Sequence, residues 1–300
     1  MRQLTNNYFY LIVTSTIIGL LGCKSSSTDV PAYLDIDSVS VVSHSGQGNN
    51  IHQITAVQIY ANAEYLGLFE LPCKVPVLKS GAIKIECYPY VKLNGKNNQW
   101  APYRILKTSD TILNFNPQKH SSYNPTFKFR TETYFRLEED FSDGNSKLIP
   151  IPKLTLGDTM GVEERPFDLS DRFKSANNKV FVAKFENTDT AKYMDIATFD
   201  SYFGIPVDGR SIQLEYDINC DLPVQLSLVR TINGVPELVP FLYMNATGKK
   251  WKRFYVDISP EIAGFDPGLS IQLVFSINKP SGFINNREIL IDNLRLSYLN

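Results

Sequence analysis

The chain has 300 residues, 43% of them hydrophobic and 20% charged, enough apolar material for one large or two ordinary cores. That composition is not that of a disordered chain. Thirty Lys and Arg against thirty-one Asp and Glu leave a formal charge of −1, so no positive field gathers nucleic acid or an anionic membrane surface, and no nucleic-acid partner is expected.

Met1 to Asn7 carries one cation, Arg2, and no acid, and Tyr8 to Leu21 is an uninterrupted, largely apolar run. A spanning helix needs about 20 apolar residues; this run is shorter and reads as the apolar region of a signal peptide. It ends at Leu20-Leu21-Gly22-Cys23, and Lys24-Ser25-Ser26-Ser27-Thr28-Asp29 follows as a flexible tether. These residues resemble the lipobox of bacterial lipoproteins, with Leu21 bulkier than the family's usual Ala or Ser. The resemblance implies a signal peptide over 1–22, lipidation of Cys23 by acyl chains such as palmitate, and a tether over 23–33. It also implies a domain held at the outer membrane, on its periplasmic or cell-surface face. A plain secretory signal with an incidental cysteine is the alternative reading.

From Val57 to Pro89 short apolar runs alternate with turns: Val57 to Tyr60, Asn62-Ala63-Glu64, Tyr65 to Leu71, Ser80-Gly81, then Ala82 to Tyr88. Ile83, Ile85 and Cys87 share one face and Lys84, Glu86 and Tyr88 the other, the period-two pattern of a half-buried strand. Pro72, Pro76 and Pro89 are expected at strand ends or sheet edges, where a missing N–H is tolerated. Ile59, Tyr60, Gly67, Pro72, Pro76, Leu78, Gly81, Ile83, Ile85 and Pro89 resemble the PEGA family of small surface β-domains. The segment departs from that family at Ala61-Asn62-Ala63-Glu64, where an Asp-Gly hairpin is usual. Tyr103 to Leu106, Thr111 to Phe115 and Thr126 to Thr133 are further strand candidates, completing a first β-domain over 34–133.

Cys73 and Cys87 lie in what reads as adjacent strands, and an oxidising envelope would permit a disulfide between them; the alternative is that both are small buried apolar residues. No paired CxxC zinc spacing is present, and His44, His52 and His120 are scattered.

A second unit is expected over 134–300. Val180 to Glu186, Met194 to Phe199, Ser211 to Ile218, Val224 to Arg230, Arg253 to Ile258, Leu269 to Ile277 and Ile289 to Tyr298 alternate between apolar and polar residues, and Asp168 to Ser175 is the one helical candidate. Strands of this kind joined by Gly, Pro and Asn turns predict an antiparallel sandwich. The acidic and aromatic opening, Phe135 to Gly144, and the closing Ile291-Asp292-Asn293 resemble the galactose-binding-like jelly rolls to which many carbohydrate-binding modules belong. The fold class expected is thus all-β, a small PEGA-like β-sandwich followed by an antiparallel β-jelly-roll sandwich. Simple alternation puts Asp292 on the face of Leu290, Leu294 and Leu296, and a carboxylate buried there needs a partner. A structural Ca²⁺ held by Glu138, Asp140 and Asp292 is one reading, an ion that jelly-roll relatives often carry; backbone N–H donors from a neighbouring turn, or a different facing, are the others. No other cofactor is required.

No Gly-x-Ser-x-Gly elbow, His-Glu-x-x-His or glycine-rich phosphate loop is present, and adjacent acids such as Glu138-Glu139 and Glu163-Glu164 point to opposite faces of a strand. The chain is therefore expected not to be an enzyme. Two classes of binding protein remain. The reading favoured, because the PEGA-like unit has no evident ligand chemistry and the aromatics of the second unit are not clustered, is an accessory or scaffold subunit of an outer-membrane protein complex; the alternative is a surface glycan-binding lipoprotein whose aromatics stack on sugar rings. The contact candidates are Tyr202 and Phe203, before Gly204 and Pro206, with Trp251, Trp100 and Tyr103; the alternatives are that Tyr202-Phe203 plugs the end of the sandwich and that Trp100 and Tyr103 cap the core of the small domain.

Overall fold

The structure is a computed structural model that describes residues 30–44, 46–47, 49–151, 159–165, 178–185, 193–278 and 287–300. Cys23, the expected signal peptide over 1–22, most of the expected tether and the helical candidate over 168–175 lie outside the described residues. The regular secondary structure of the described residues is strand, apart from one short 3-10 turn at Ser259–Glu261.

Ten strands come first: β1 (Ala32–Ile36), β2 (Ser40–Val42), β3 (Ala56–Ala61), β4 (Glu64–Glu70), β5 (Cys73–Val77), β6 (Gly81–Lys92), β7 (Trp100–Pro102), β8 (Ser109–Phe115), β9 (His120–Ser122) and β10 (Thr126–Lys128). They form a three-stranded sheet β5-β1-β9, a β10-β2 pair, and a five-stranded sheet β4-β3-β6-β7 in which β8 also pairs with β6. Leu34, Ile36, Val57, Ile59, Ile85, Phe115 and Phe127 meet in a closed apolar core between them. The first strand starts within the stretch expected as tether, because Ala32, Leu34 and Ile36 alternate inward.

Pro89 is a correction to the sequence reading. It lies inside β6, which is flanked on both sides, rather than at a strand end. On one side β6 pairs with β8 over Gly81 to Cys87 and with β7 over Tyr90 to Lys92, so Pro89 falls where the partner changes. Its carbonyl accepts the Tyr103 N–H (2.9 Å), and no ladder bond needs the N–H it lacks. Pro76, by contrast, is on the edge strand β5, as expected.

Twelve strands follow: β11 (Thr133–Glu139), β12 (Leu148–Pro150), β13 (Thr159–Glu164), β14 (Lys179–Phe185), β15 (Tyr193–Thr198), β16 (Tyr202–Phe203), β17 (Ile212–Cys220), β18 (Val224–Ile232), β19 (Val235–Met244), β20 (Lys252–Asp257), β21 (Ser270–Asn278) and β22 (Arg287–Leu299). One six-stranded sheet runs β13-β14-β22-β17-β20 with β11 on β22; the other runs β12-β15-β21-β18-β19 with β16 on β21. Leu214, Tyr216, Phe275, Ile291 and Leu296 fill the space between these antiparallel sheets. Edge strand β19 is absent from the sequence reading because Pro236 and Pro240 interrupt its alternation. An edge tolerates both, since the outward N–H has no partner to lose.

The two sets of sheets touch one another. The β6–β7 turn reaches β20: Leu93 bridges Tyr255, the Asn94 N–H donates to the Tyr255 carbonyl (2.9 Å), and Gly95 lies against the Phe254 ring. A β-carbon at Gly95 would sit 2.5 Å from that ring, and its φ of +66° also favours glycine.

Candidate functional site

The Tyr202-Phe203 loop singled out in the sequence divides its two rings. Tyr202 is buried, with the Arg136 guanidinium 5.4 Å from its ring, so it is not a contact surface. Phe203 is 60% exposed and forms one wall of a cleft of about 390 Å³. β16 holds it there by pairing Phe203 with Ser270. The opposite wall is the β18–β19 turn, where Asn233 (φ 50°) and Gly234 (φ 79°) take the left-handed conformation that closes a two-residue hairpin.

Phe265 contributes a second aromatic ring to this cleft. The Arg230 guanidinium stands 4.4 Å from it, donating to the Glu261 carbonyl (2.7 Å) and to Glu237 (2.8 Å), so the cation is tied on both sides. Asp266 closes its own turn by accepting the Gly268 N–H (2.7 Å). The result is an open groove with two aromatic rings and a rim of Thr231, Asn233 and Asp266, the mixture of apolar wall and few polar groups that suits a small-molecule or sugar ligand. Phe265 is missing from the sequence reading and Arg230 figures there only as the end of a strand, although Asn233-Gly234 between two alternating runs is a hairpin signal that points to this turn.

The other contact candidates lie elsewhere. Trp251 is half-buried and packs on Val180, Val182 and Leu290. Trp100 is half-buried beneath the Lys92 ammonium, 4.7 Å away. Tyr103 is buried and donates to the Glu215 carboxylate across the contact between the two sets of sheets, which rules it out as an exposed ligand platform.

That contact is lined by charge. Arg253 donates to Glu215 (2.8 Å) and Asp217 (2.9 Å), and all three side chains are buried. Arg295 lies 3.8 Å from Glu215 and donates to the Asn49 carbonyl (2.8 Å), beneath the Phe129 and Phe135 rings. Asn293 donates to Asp217 (2.7 Å) and accepts from Asn49 (2.6 Å). Two guanidinium groups thus face two carboxylates, so the buried charges cancel. Burial raises the Asp217 pKa, with Arg253 and Asn293 opposing. Glu215 and Asp217 alternate with core residues on β17, and the same alternation in sequence describes a solvated face; only the first set of sheets, packed over it through Tyr103 and Asn49, makes it an interior.

Asp292 corrects the facing expected for it. A register shift between Glu215 and Asp217, opposite Asn293 (φ 50°), resets the alternation of β22. Ile289, Ile291, Leu294 and Leu296 therefore all face the core, and Asp292 lies on the other side opposite Asp217. One carboxylate oxygen accepts the Asn293 N–H (2.7 Å). Burial first, then repulsion from Asp217 and Asp140, raises its pKa to about 8 against the pull of that N–H and of Arg253. Glu138 faces Arg295 (3.5 Å), while Asp140 accepts the Ser142 N–H (3.1 Å). Among the described residues no three His, Cys, Asp or Glu side chains are gathered as a metal site.

Cys73 and Cys87 are separate thiols. Their strands are not adjacent: Cys73 pairs with Ile36 in one sheet and Cys87 with Ile59 and Ser109 in another. Burial pushes the first thiol up to about 11 and the second to about 12, so both stay protonated.

No protein-family model and no curated protein matches the chain. Among solved structures it is similar to a carbohydrate-binding module described as of the beta-sandwich superfamily, at 12% identity over 88% of this chain and 98% of that one (TM-score 0.40). It is also similar to an exo-beta-agarase, at 15% identity over 56% of this chain and 25% of that one (TM-score 0.38). A third is a family 11 carbohydrate-binding module from Clostridium thermocellum with a mixed-linked tetrasaccharide, at 13% identity over 53% of this chain and 93% of that one (TM-score 0.33). Likeness at this level leaves the ligand to be read from the chain's own residues.

Proposed function

We propose that this chain is a non-catalytic glycan-binding protein of the bacterial envelope, held at the outer membrane by lipid on Cys23, with the Phe203–Phe265 cleft as its sugar site. The observation that carries this reading is the cleft itself: a 60% exposed Phe203 beside a fixed Phe265, with Asn233 and Asp266 at the rim. A sugar ring presents C–H groups on its faces and hydroxyls at its edge, which matches an aromatic wall with amide and carboxylate groups around it.

The test is affinity electrophoresis of the full chain through gels containing single polysaccharides, beside Phe203→Ala. Retardation of the wild type in at least one gel, weakened at least tenfold by Phe203→Ala with the circular dichroism spectrum unchanged, is the expected result. Migration unaffected by every polysaccharide, together with stoichiometric recovery of an outer-membrane protein on the lipidated chain, would overturn it in favour of an accessory subunit.

A further inference from the structure

The five-stranded sheet of the first set has an outer face made largely of tyrosine. Val57, Ile59, Ile83, Ile85 and Cys87 point into the core, so alternation sends Gln58, Tyr60, Tyr88 and Tyr90 outward. Register then assembles them: Tyr60 opposes Tyr65, and Gln58 sits between Leu68 and Tyr88. The Tyr60 ring is 5.5 Å from both the Tyr65 and the Tyr88 rings. Gln58 donates to the Tyr60 hydroxyl (2.9 Å) and accepts from Tyr90 (2.7 Å), fixing two phenols with one amide. Tyr65 is 56% exposed, Tyr88 and Leu68 37% each.

The charges on this sheet are spent on one another. Lys84 pairs with Glu86 (2.9 Å) and Asp110 (3.7 Å), Lys79 with Glu64 (2.7 Å), and Lys92 with Glu70 (3.8 Å) while lying over Trp100. Counting Arg104, which acts on Tyr90, four cations stand against the four carboxylates Glu64, Glu70, Glu86 and Asp110, so the face offers no net charge to a phosphate, a sulfated polymer or an acidic protein. It offers exposed rings and oriented hydroxyls. Its electrostatic complement is an uncharged, polyhydroxylated chain.

We propose that this tyrosine face is a second ligand surface, taking a neutral polysaccharide laid across β4, β3 and β6 with sugar rings stacked on Tyr65 and Tyr88. It stands on residues independent of the Phe203 cleft and lies on the other set of sheets. Two surfaces on one chain would hold a polymer with an avidity that neither has alone.

The experiment runs four full-length proteins through affinity gels of neutral polysaccharides (laminarin, galactomannan, xyloglucan) and of anionic heparin. They are wild type, Phe203→Ala, the pair Tyr65→Ala with Tyr88→Ala, and the pair Tyr65→Phe with Tyr88→Phe. The expected result is retardation by at least one neutral polysaccharide that survives Phe203→Ala, weakens at least tenfold in the alanine pair and returns in the phenylalanine pair. No retardation of the wild type by any neutral polymer, or binding to heparin alone, overturns it. So does an alanine pair that binds as the wild type does, and loss confined to Phe203→Ala leaves the cleft standing and this surface refuted. Loss confined to the alanine pair does the reverse. Release of a co-purifying protein by the alanine pair, with polysaccharide binding intact, also overturns it by assigning the face to a protein partner.

Discussion

Ala63 is held at φ 62° beside Asn62 at φ 48°, the two-residue turn between β3 and β4. Asn62 accepts the Lys84 N–H through its side chain (2.9 Å) and donates its own N–H to the Lys84 carbonyl (2.8 Å), which repays its left-handed backbone. Ala63 is left with the steric cost of about 1 kcal/mol that a β-carbon meets there. Ala63→Gly is therefore expected to stabilise the protein by about 0.5 kcal/mol, the relief being partly offset by glycine's freedom when unfolded; urea denaturation measures it, and a lower midpoint would refute the argument. The sequence marks this turn as a departure from an Asp-Gly hairpin, and the structure keeps the hairpin geometry regardless. Strand register, rather than the local preference of Ala63, sets those angles.

Among the elements, β17, β20 and β22 depart furthest from a simple reading. Each has one face in the core between the two six-stranded sheets and the other in a buried charged layer. Arg253→Met would leave Glu215 and Asp217 buried without their shared cation, and a loss of about 3–5 kcal/mol is expected, read as a lowered denaturation midpoint. A shift below about 1 kcal/mol would mean that water reaches these carboxylates. The register shift at Asn293 is the element-level event that sequence could not supply. Its parity change sends Asp292 away from Leu294 and Leu296, and period-two counting across a bulge fails by one residue.

At the scale of the whole molecule, the contact between the two sets of sheets links their stability to pH. His52 lies beside this contact, its Nδ1 accepting the Ile54 N–H (3.4 Å). Burial first, and the charge of Arg253 second, lower its pKa from 6.5 to about 4. A group whose folded pKa is depressed contributes stability that is present above about pH 6.5 and is lost as pH falls toward 4, here on the order of 2 kcal/mol. Asp292, its carboxyl raised to about 8, works in the opposite sense over this range, so the His52 share is read as a difference: on acidification from pH 6.5 to 4 the wild-type melting temperature should drop relative to that of His52→Gln. An unchanged slope in the variant would place the acid sensitivity elsewhere.

The sequence by itself determined the all-β class and most strands of both sets of sheets, because alternation is a local consequence of one face meeting apolar neighbours. It also pointed to Phe203, since a loop aromatic between turn residues is visible without knowing its neighbours. Only the tertiary structure decided that Tyr202 and Tyr103 are interior, that Phe265 completes the cleft, and that Glu215, Asp217 and Arg253 face protein rather than water. It likewise decided that Tyr60, Tyr65 and Tyr88 share one surface. The physical reason is common to all of these. Period two says which side of a strand a residue takes, whereas what lies on that side depends on segments far away in the chain.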